Sequence, residues 1–243
     1  MAVSELVVIR HGESRGNAAA AQAYADDAEV IDVGARDADV QLSEVGVEQA
    51  TALGRALGPL VADAPLTQVW SSTYVRAQQT AALGLQAAGL DLPIRLDERL
   101  RDRELGVLDL LTWKGVEARF PGEAERRRWL GKFYHRPPGG ESWADVVLRV
   151  RSFLGDLAVA PEGSRAVVFC HDALVLTFRY VCEGLTEAEV LEIGSRTPVK
   201  NVSVTRLGRD PDGRWQLRTF NDVSHLEESD APVTRHPGDV DAP

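Results

Sequence analysis

Residues 6–17 read LVVIRHGESRGN: an unbroken apolar run, Leu6 to Ile9, followed at once by Arg10, His11 and Gly12. Such a run, stopping at glycine and small polar residues, reads as a strand buried on both faces, the kind found in parallel sheets. Arg10 and His11 therefore leave the sheet at its carboxyl edge, where open α/β sheets bind their ligands. The pattern returns at Ala166–Cys170, which runs into His171 and Asp172 ahead of a new helical pattern. Two strand-end histidines can face each other across one crevice.

The rest of the chain alternates between the two periods. Apolar spacing predicts helices over Ser14–Ala25, from a cap at Ser43 through Leu57, and over Tyr74–Ala88, Glu141–Leu157 and Ala173–Cys182. Gly58-Pro59 is expected to end the second of these. Thr67–Ser72 and Ile94–Leu100 read as strands, and Val202–Leu207 with Trp215–Phe220 alternate around RDPDG as a hairpin. Asp26–Val40 is acidic and irregular, expected as a mobile loop at the pocket mouth. Residues 101–140 are dense in Arg and Glu, carry Trp113, Phe120, Trp129, Phe133 and Tyr134, and show no strand pattern. They read as a helical lid insertion. Residues 227–243 are acidic, proline-containing and aperiodic, and are expected to form a disordered tail behind a single domain at 1–226.

Composition narrows the function. With 243 residues, 44% of them hydrophobic, the chain can bury one substantial core. Its net charge of -10 argues against nucleic acid as the main partner, because a polyanion needs a basic footprint. No run of apolar residues is long enough to cross a membrane, and no charged segment leads into an apolar signal core, so a cytoplasmic protein without membrane partners is expected. Cys170 and Cys182 suit buried thiols better than a disulfide, and strand alternation points Cys170 away from the pocket. His11, His135, His171, His225 and His236 show neither HxH nor HxxxH spacing, so neither metal nor other cofactor is expected.

The segment RHGESRGN at residues 10–17 resembles the signature of the histidine phosphatase superfamily, which includes the cofactor-dependent phosphoglycerate mutases. The likeness continues in QLSEVGVEQATALGRAL (41–57), SSTYVRAQQTA (71–81), PPGGES (137–142) and the second-histidine strand, in family order over roughly residues 5–222. It implies an α/β fold: a three-layer α/β/α sandwich with a mostly parallel central sheet, phosphoglycerate mutase-like, with a helical lid insertion.

By the same resemblance, His11 is the nucleophile that takes the phosphoryl group and His171 assists the transfer. Arg10 and Arg76 grip phosphate oxygens; arginine suits this because its planar fork donates two hydrogen bonds and stays charged. Ser14 and Asn17 are expected to contact phosphate from the start of the first helix, where free N–H groups favour an anion. A carboxylic acid must protonate the leaving alkoxide. Family register selects Asp102, an aspartate where many relatives have glutamate; Glu104, two residues later, and Asp172, beside the second histidine, stay open. The implied activity is a metal-independent phosphatase acting on a small phosphorylated metabolite. The alternatives are a phosphoglycerate mutase, to whose lid pattern Arg126–Trp129 and Lys132–Tyr134 bear a partial, shifted likeness, and a noncatalytic phospho-ligand-binding protein. Against the last stands the intact set Arg10, His11, Arg76 and His171. Oligomeric state is not legible.

Overall fold

In a computed structural model, which describes residues 3–62 and 67–235, six strands form one sheet: β1 (Val3–Arg10), β2 (Thr67–Ser72), β3 (Ile94–Asp97), β4 (Ser164–Cys170), β5 (Val204–Arg209) and β6 (Trp215–Asp222), in the order β3-β2-β4-β1-β5-β6. The four strands β3, β2, β4 and β1 run parallel, and β5 and β6 close the far edge antiparallel. The helices are α1 (Arg15–Ala25), α2 (Glu44–Ala52), α3 (Gly54–Ala62), α4 (Val75–Ala87), α5 (Trp113–Arg119), α6 (Pro121–Leu130), α7 (Trp143–Leu157), α8 (Asp172–Glu183), α9 (Glu187–Arg196) and α10 (Ser224–Glu227).

Strand alternation divides the core. Leu6 and Val8 with Ala166, Val168 and Cys170 face α7 and α8 through Val150, Phe153, Leu174 and Phe178. Val7 and Ile9 with Val167 and Phe169 face the other way, onto Leu53, Leu57, Ala81 and Leu85. Consecutive side chains of one strand thus feed opposite cores, which is why Leu6–Ile9 of β1 and Ala166–Cys170 of β4 are unbroken apolar runs. The result is the expected three-layer α/β/α sandwich. Cys170 is fully buried on the α7–α8 side and burial pushes its thiol up; burial likewise pushes the Cys182 thiol up to about 12, so neither is a ready nucleophile.

Several elements differ from their sequence expectation. The helix capped by Ser43 is interrupted at Leu53 rather than ended by Gly58-Pro59: α3 restarts at Gly54 and carries Pro59 inside it. Gly54 lies against the end of α4, where an added Cβ would sit 2.6 Å from the Ala87 side chain. That contact sets the break, and exposed Pro59 leaves its lost hydrogen bond on the solvent side. The strand from Ile94 stops at Asp97, whose carboxylate accepts from Arg99 N and starts a 3-10 turn over Glu98–Leu100. α9 has no counterpart in the sequence reading.

The stretch from Glu227 is ordered as far as Arg235: Ala231 is buried, and Gln49 Nε2 donates to Pro232 O at 2.8 Å and to Thr234 Oγ1 at 2.8 Å. Composition alone hides this because the holding bonds go to backbone and to residues far off in sequence; 236–243 lie outside the described residues. Residues 101–140 contain no strand, and α5 and α6 pack together through Val116 and Ala124 beneath Leu108. No helix among the described residues is long and apolar enough to cross a membrane.

His225, in α10, is buried with both ring nitrogens unpartnered, and burial lowers its pKa, with Asp222 opposing. The unfolded chain binds a proton there near the ordinary histidine value while the folded chain does not, so stability is lost as pH falls below that value. His11, His135 and His171 are shifted the same way, each chiefly by burial. His225→Leu is expected to shrink the loss of Tm between about pH 7 and pH 5 by about 2–4 °C, the shift that about 1 kcal/mol gives a domain of this size. Thermal melts across pH check it, and an unchanged slope would show that His225 stays uncoupled from acid unfolding.

Candidate active site

The carboxyl ends of β1, β2 and β4 deliver Arg10, Ser72 and, one residue past β4, His171 to one edge of the sheet. Parallel register brings this about: Arg10 pairs with Cys170, so His11 and His171 follow side by side, with ring centroids 5.0 Å apart in an edge-on contact. His11 N donates to Cys170 O at 2.9 Å, and Gly12 N donates to Thr80 Oγ1 at 3.0 Å. The loop then presses on the start of α2, where a Cβ on Gly46 would lie 1.9 Å from Glu13 O. Only glycine fits there.

The His11 ring is held at both nitrogens. Nδ1 lies 2.6 Å from Gly12 O, which can only accept, so Nδ1 carries the proton. Nε2 is left with its lone pair, and Arg76 Nε donates to it at 3.2 Å. Burial lowers the His11 pKa well below its ordinary value, helped by the charges of Arg76, His171 and Arg10 and opposed by the Gly12 hydrogen bond. The ring is neutral at neutral pH. A neutral imidazole whose lone pair is held only by a hydrogen bond can act as a nucleophile once that bond gives way.

Arg76 projects from the first turn of α4 and is buried. Its Nη1 donates to Asp37 Oδ1 at 2.9 Å and to Asp37 O at 2.7 Å, and its Nη2 donates to Asp37 Oδ2 at 3.2 Å and to Asp102 Oδ2 at 3.1 Å. A carboxylate of the 26–40 loop thus occupies the guanidinium fork. Asp102 Oδ2 also lies 3.3 Å from His171 Nδ1, an ionic contact without hydrogen-bond alignment, while His171 Nε2 is 2.9 Å from Ser72 Oγ. Burial pushes Asp102 up, but His171 and Arg76 outweigh it and hold the carboxyl well below the usual range. His171 is lowered by burial against the pull of Asp102. Arg10 is buried behind His11 and donates through Nη1 to Val199 O.

The structure brings His11, Arg10, Arg76 and Asp102 to the wall of one cavity of about 290 Å³, which Ser14, Asn17 and Asp172 also line; His171 is fully buried behind that wall, against His11 and Asp102. Ser14 and Asn17 form the capping box of α1: Ser14 Oγ accepts from Asn17 N and Asn17 Oδ1 from Ser14 N, each at 3.1 Å. Asp172 Oδ1 accepts from Ala173 N at 2.7 Å at the start of α8. Glu104 is not in the cavity lining. Its carboxylate accepts from Tyr74 OH at 2.7 Å and turns toward Arg101. Of the three carboxylates, Asp102 and Asp172 thus line the cavity, and Asp102 also contacts Arg76 and His171. Among the described residues no group of three His, Cys, Asp or Glu is arranged to hold a metal ion.

Sequence reasoning missed Asp37, Ser72 and a brace beneath the His11 loop. Asn201 Nδ2 donates to His11 O at 3.0 Å, Thr234 Oγ1 donates to Asn201 Oδ1 at 3.1 Å, and Gln49 joins Glu13 N (2.8 Å) to Thr234 and Pro232. Ser72 was within reach as the end of a strand whose motif was already noted. Asp37 and Asn201 lie in irregular stretches without periodicity, so only the folded contacts reveal them.

Known proteins resemble this architecture over nearly its whole length. The model of the histidine phosphatase superfamily (branch 1) matches residues 6–223. A 2,3-bisphosphoglycerate-dependent phosphoglycerate mutase of Methylobacterium radiotolerans is 35% identical over 202 residues, 80% of this chain and 86% of that protein. One from another Methylobacterium strain is 33% identical over 80% of this chain and 88% of its own. A mycobacterial glucosyl-3-phosphoglycerate phosphatase, solved with VO3, superposes with a TM-score of 0.71 at 29% identity, covering 91% of this chain and 100% of that one.

Proposed function

The chain belongs to the histidine phosphatase superfamily, and we propose that it is a metal-independent phosphatase that hydrolyses a small phosphomonoester through a phosphohistidine on His11. The observation that carries this reading is the His11 ring: Nδ1 protonated against Gly12 O, Nε2 turned to the Arg76 guanidinium, the whole neutral and at a cavity wall. A phosphomonoester spreads its charge over its equatorial oxygens, so fixed cations and positioning do most of the work. Arg76 and Arg10 supply that charge from the chain itself.

His11 Nε2 attacks phosphorus while the bond to the ester oxygen breaks. Asp102 gives that oxygen a proton, then as carboxylate takes one from the water that displaces phosphate from His11. Free Asp102 is ionised; an arriving phosphate dianion adds negative charge beside it and raises its proton affinity, so that the carboxylate takes up a proton from solvent before the ester bond breaks. His171 and Ser72 flank the transferring group. The glucosyl-3-phosphoglycerate phosphatase likeness supports hydrolysis, whereas the names of the Methylobacterium relatives favour a mutase. In the lid, Arg127 stacks 4.9 Å over Trp113 while lining the cavity, and Arg128 pairs with Glu117 at 3.1 Å. Release of inorganic phosphate from a chromogenic ester, undiminished by chelator, is the expected result. Isomerisation of 3-phosphoglycerate with added 2,3-bisphosphoglycerate, without phosphate release, would make the protein a mutase, and binding with no turnover would make it a sensor.

Asp37 competes with phosphate for the same fork. Asp37→Asn is expected to tighten inhibition by inorganic phosphate about three- to tenfold, a modest gain because the pair is partly solvated. Inhibition constants for both proteins at one ionic strength check it; equal or weaker inhibition in the variant would mean that Asp37 supports the fork rather than blocking it.

A further inference from the structure

We propose that the alcohol carried by the substrate phosphate is apolar, an alkyl or aryl group rather than a polyol or a nucleoside. The inference rests on the reading of the cavity as a phosphatase site and adds what fills the rest of it. At about 290 Å³ the cavity is at the lower edge of the size range of ligand pockets, so it takes a small molecule. Away from Arg10, His11, Arg76 and Asp102, its walls come from three directions and are dominated by carbon: Ile31 and Val33 from the loop after α1, Leu111 and Val116 from the lid, Leu176 from α8 and Leu191 from α9.

Polar side chains share these walls, but each is engaged with its own surroundings. Arg103 Nε donates to Glu141 O at 2.9 Å, and His135 Nε2 lies 3.0 Å from Glu123 Oε2. Arg127 lies over the Trp113 ring, and Lys132 lies 5.7 Å over the Trp143 ring. Asp109 accepts from Leu110 N and Asp172 from Ala173 N. Hydroxyls of a sugar would shed water here without gaining ready partners, which disfavours binding. A hydrocarbon loses nothing and removes apolar wall from water.

Alkylphosphonates, which carry the phosphate-like head without a hydrolysable ester, test this by titration calorimetry in the intact protein. Affinity is expected to rise about two- to fourfold per methylene from methyl- to hexylphosphonate until the cavity is filled, with a negative heat-capacity change. Val33→Asn is expected to weaken hexylphosphonate about tenfold and leave methylphosphonate unchanged. Equal affinity for methyl- and hexylphosphonate would overturn the apolar alcohol while leaving the phosphatase reading intact. Failure of methylphosphonate and inorganic phosphate alike to bind would instead overturn the phosphate cradle, and this inference with it. Because binding is read without turnover, the two failures are distinguishable.

Discussion

Replacement of His11 by alanine is expected to lower kcat on every phosphomonoester by about 10⁴-fold or more, the scale seen when a nucleophile is removed from a preorganised site. The variant keeps Arg10, Arg76, Asp102 and His171, so its affinity for inorganic phosphate should persist. In the wild-type protein, rapid quench during turnover should trap a phosphoryl adduct that is labile to acid and stable to alkali, as a phosphorus–nitrogen bond is, and His11→Ala should lack it. The pH profile adds a further constraint. With the His11 pKa lowered by burial and by the neighbouring Arg76 and Arg10 cations, the nucleophile stays neutral below the ordinary histidine value. The acid limb of kcat/KM should therefore not fall at about pH 6.5 on account of this ring. An unaltered rate in His11→Ala would remove the residue from chemistry altogether.

The second large effect depends on the leaving group. Asp102→Asn is expected to cost about 10²–10⁴-fold on an alkyl phosphate, whose alkoxide must be protonated as it departs. On p-nitrophenyl phosphate the loss in the first step should be far smaller, because that phenolate leaves without help. Asn keeps the shape of Asp102 but has one oxygen, so it can retain the bond from Arg103 N or that from Arg76 Nη2, not both. Matched melting temperatures of the two proteins would exclude a general loss of folding as the cause of the difference. Glu104→Gln, whose carboxylate is spent on Tyr74 OH outside the cavity lining, should show no such dependence on leaving group. If Glu104→Gln or Asp172→Asn reproduces the pattern and Asp102→Asn does not, the acid has been assigned to the wrong carboxylate.

The strand-end histidines were legible because a buried parallel strand has to be apolar throughout and has to end in a loop, so chemistry stands out at Arg10-His11 and at His171. Arg76 was legible only through its motif; as one charged residue at the start of a helix it carries no signal of its own. The limits lie where tertiary contacts decide. Gly58-Pro59 has the local grammar of a stop, yet the helix breaks at Gly54, where α4 leaves no room for a side chain. The stretch beyond Glu227 has the composition of a tail, yet a single glutamine and a single asparagine hold it down. Asp37 looks like one more acid in an acidic loop, and its place in the Arg76 fork follows from how that loop folds back across the sheet edge.

The brace under His11 couples the two extremes of the described chain. Glu13, made early, is pinned through Gln49 to Thr234, made late. A ribosome lays down every strand of the sheet before it supplies that anchor, so the nascent protein can own its complete scaffold while Gln49 and Asn201, which brace the nucleophile's loop, still lack their outer partners. Proteolytic nicking ahead of Pro232 would return a finished molecule to that immature condition.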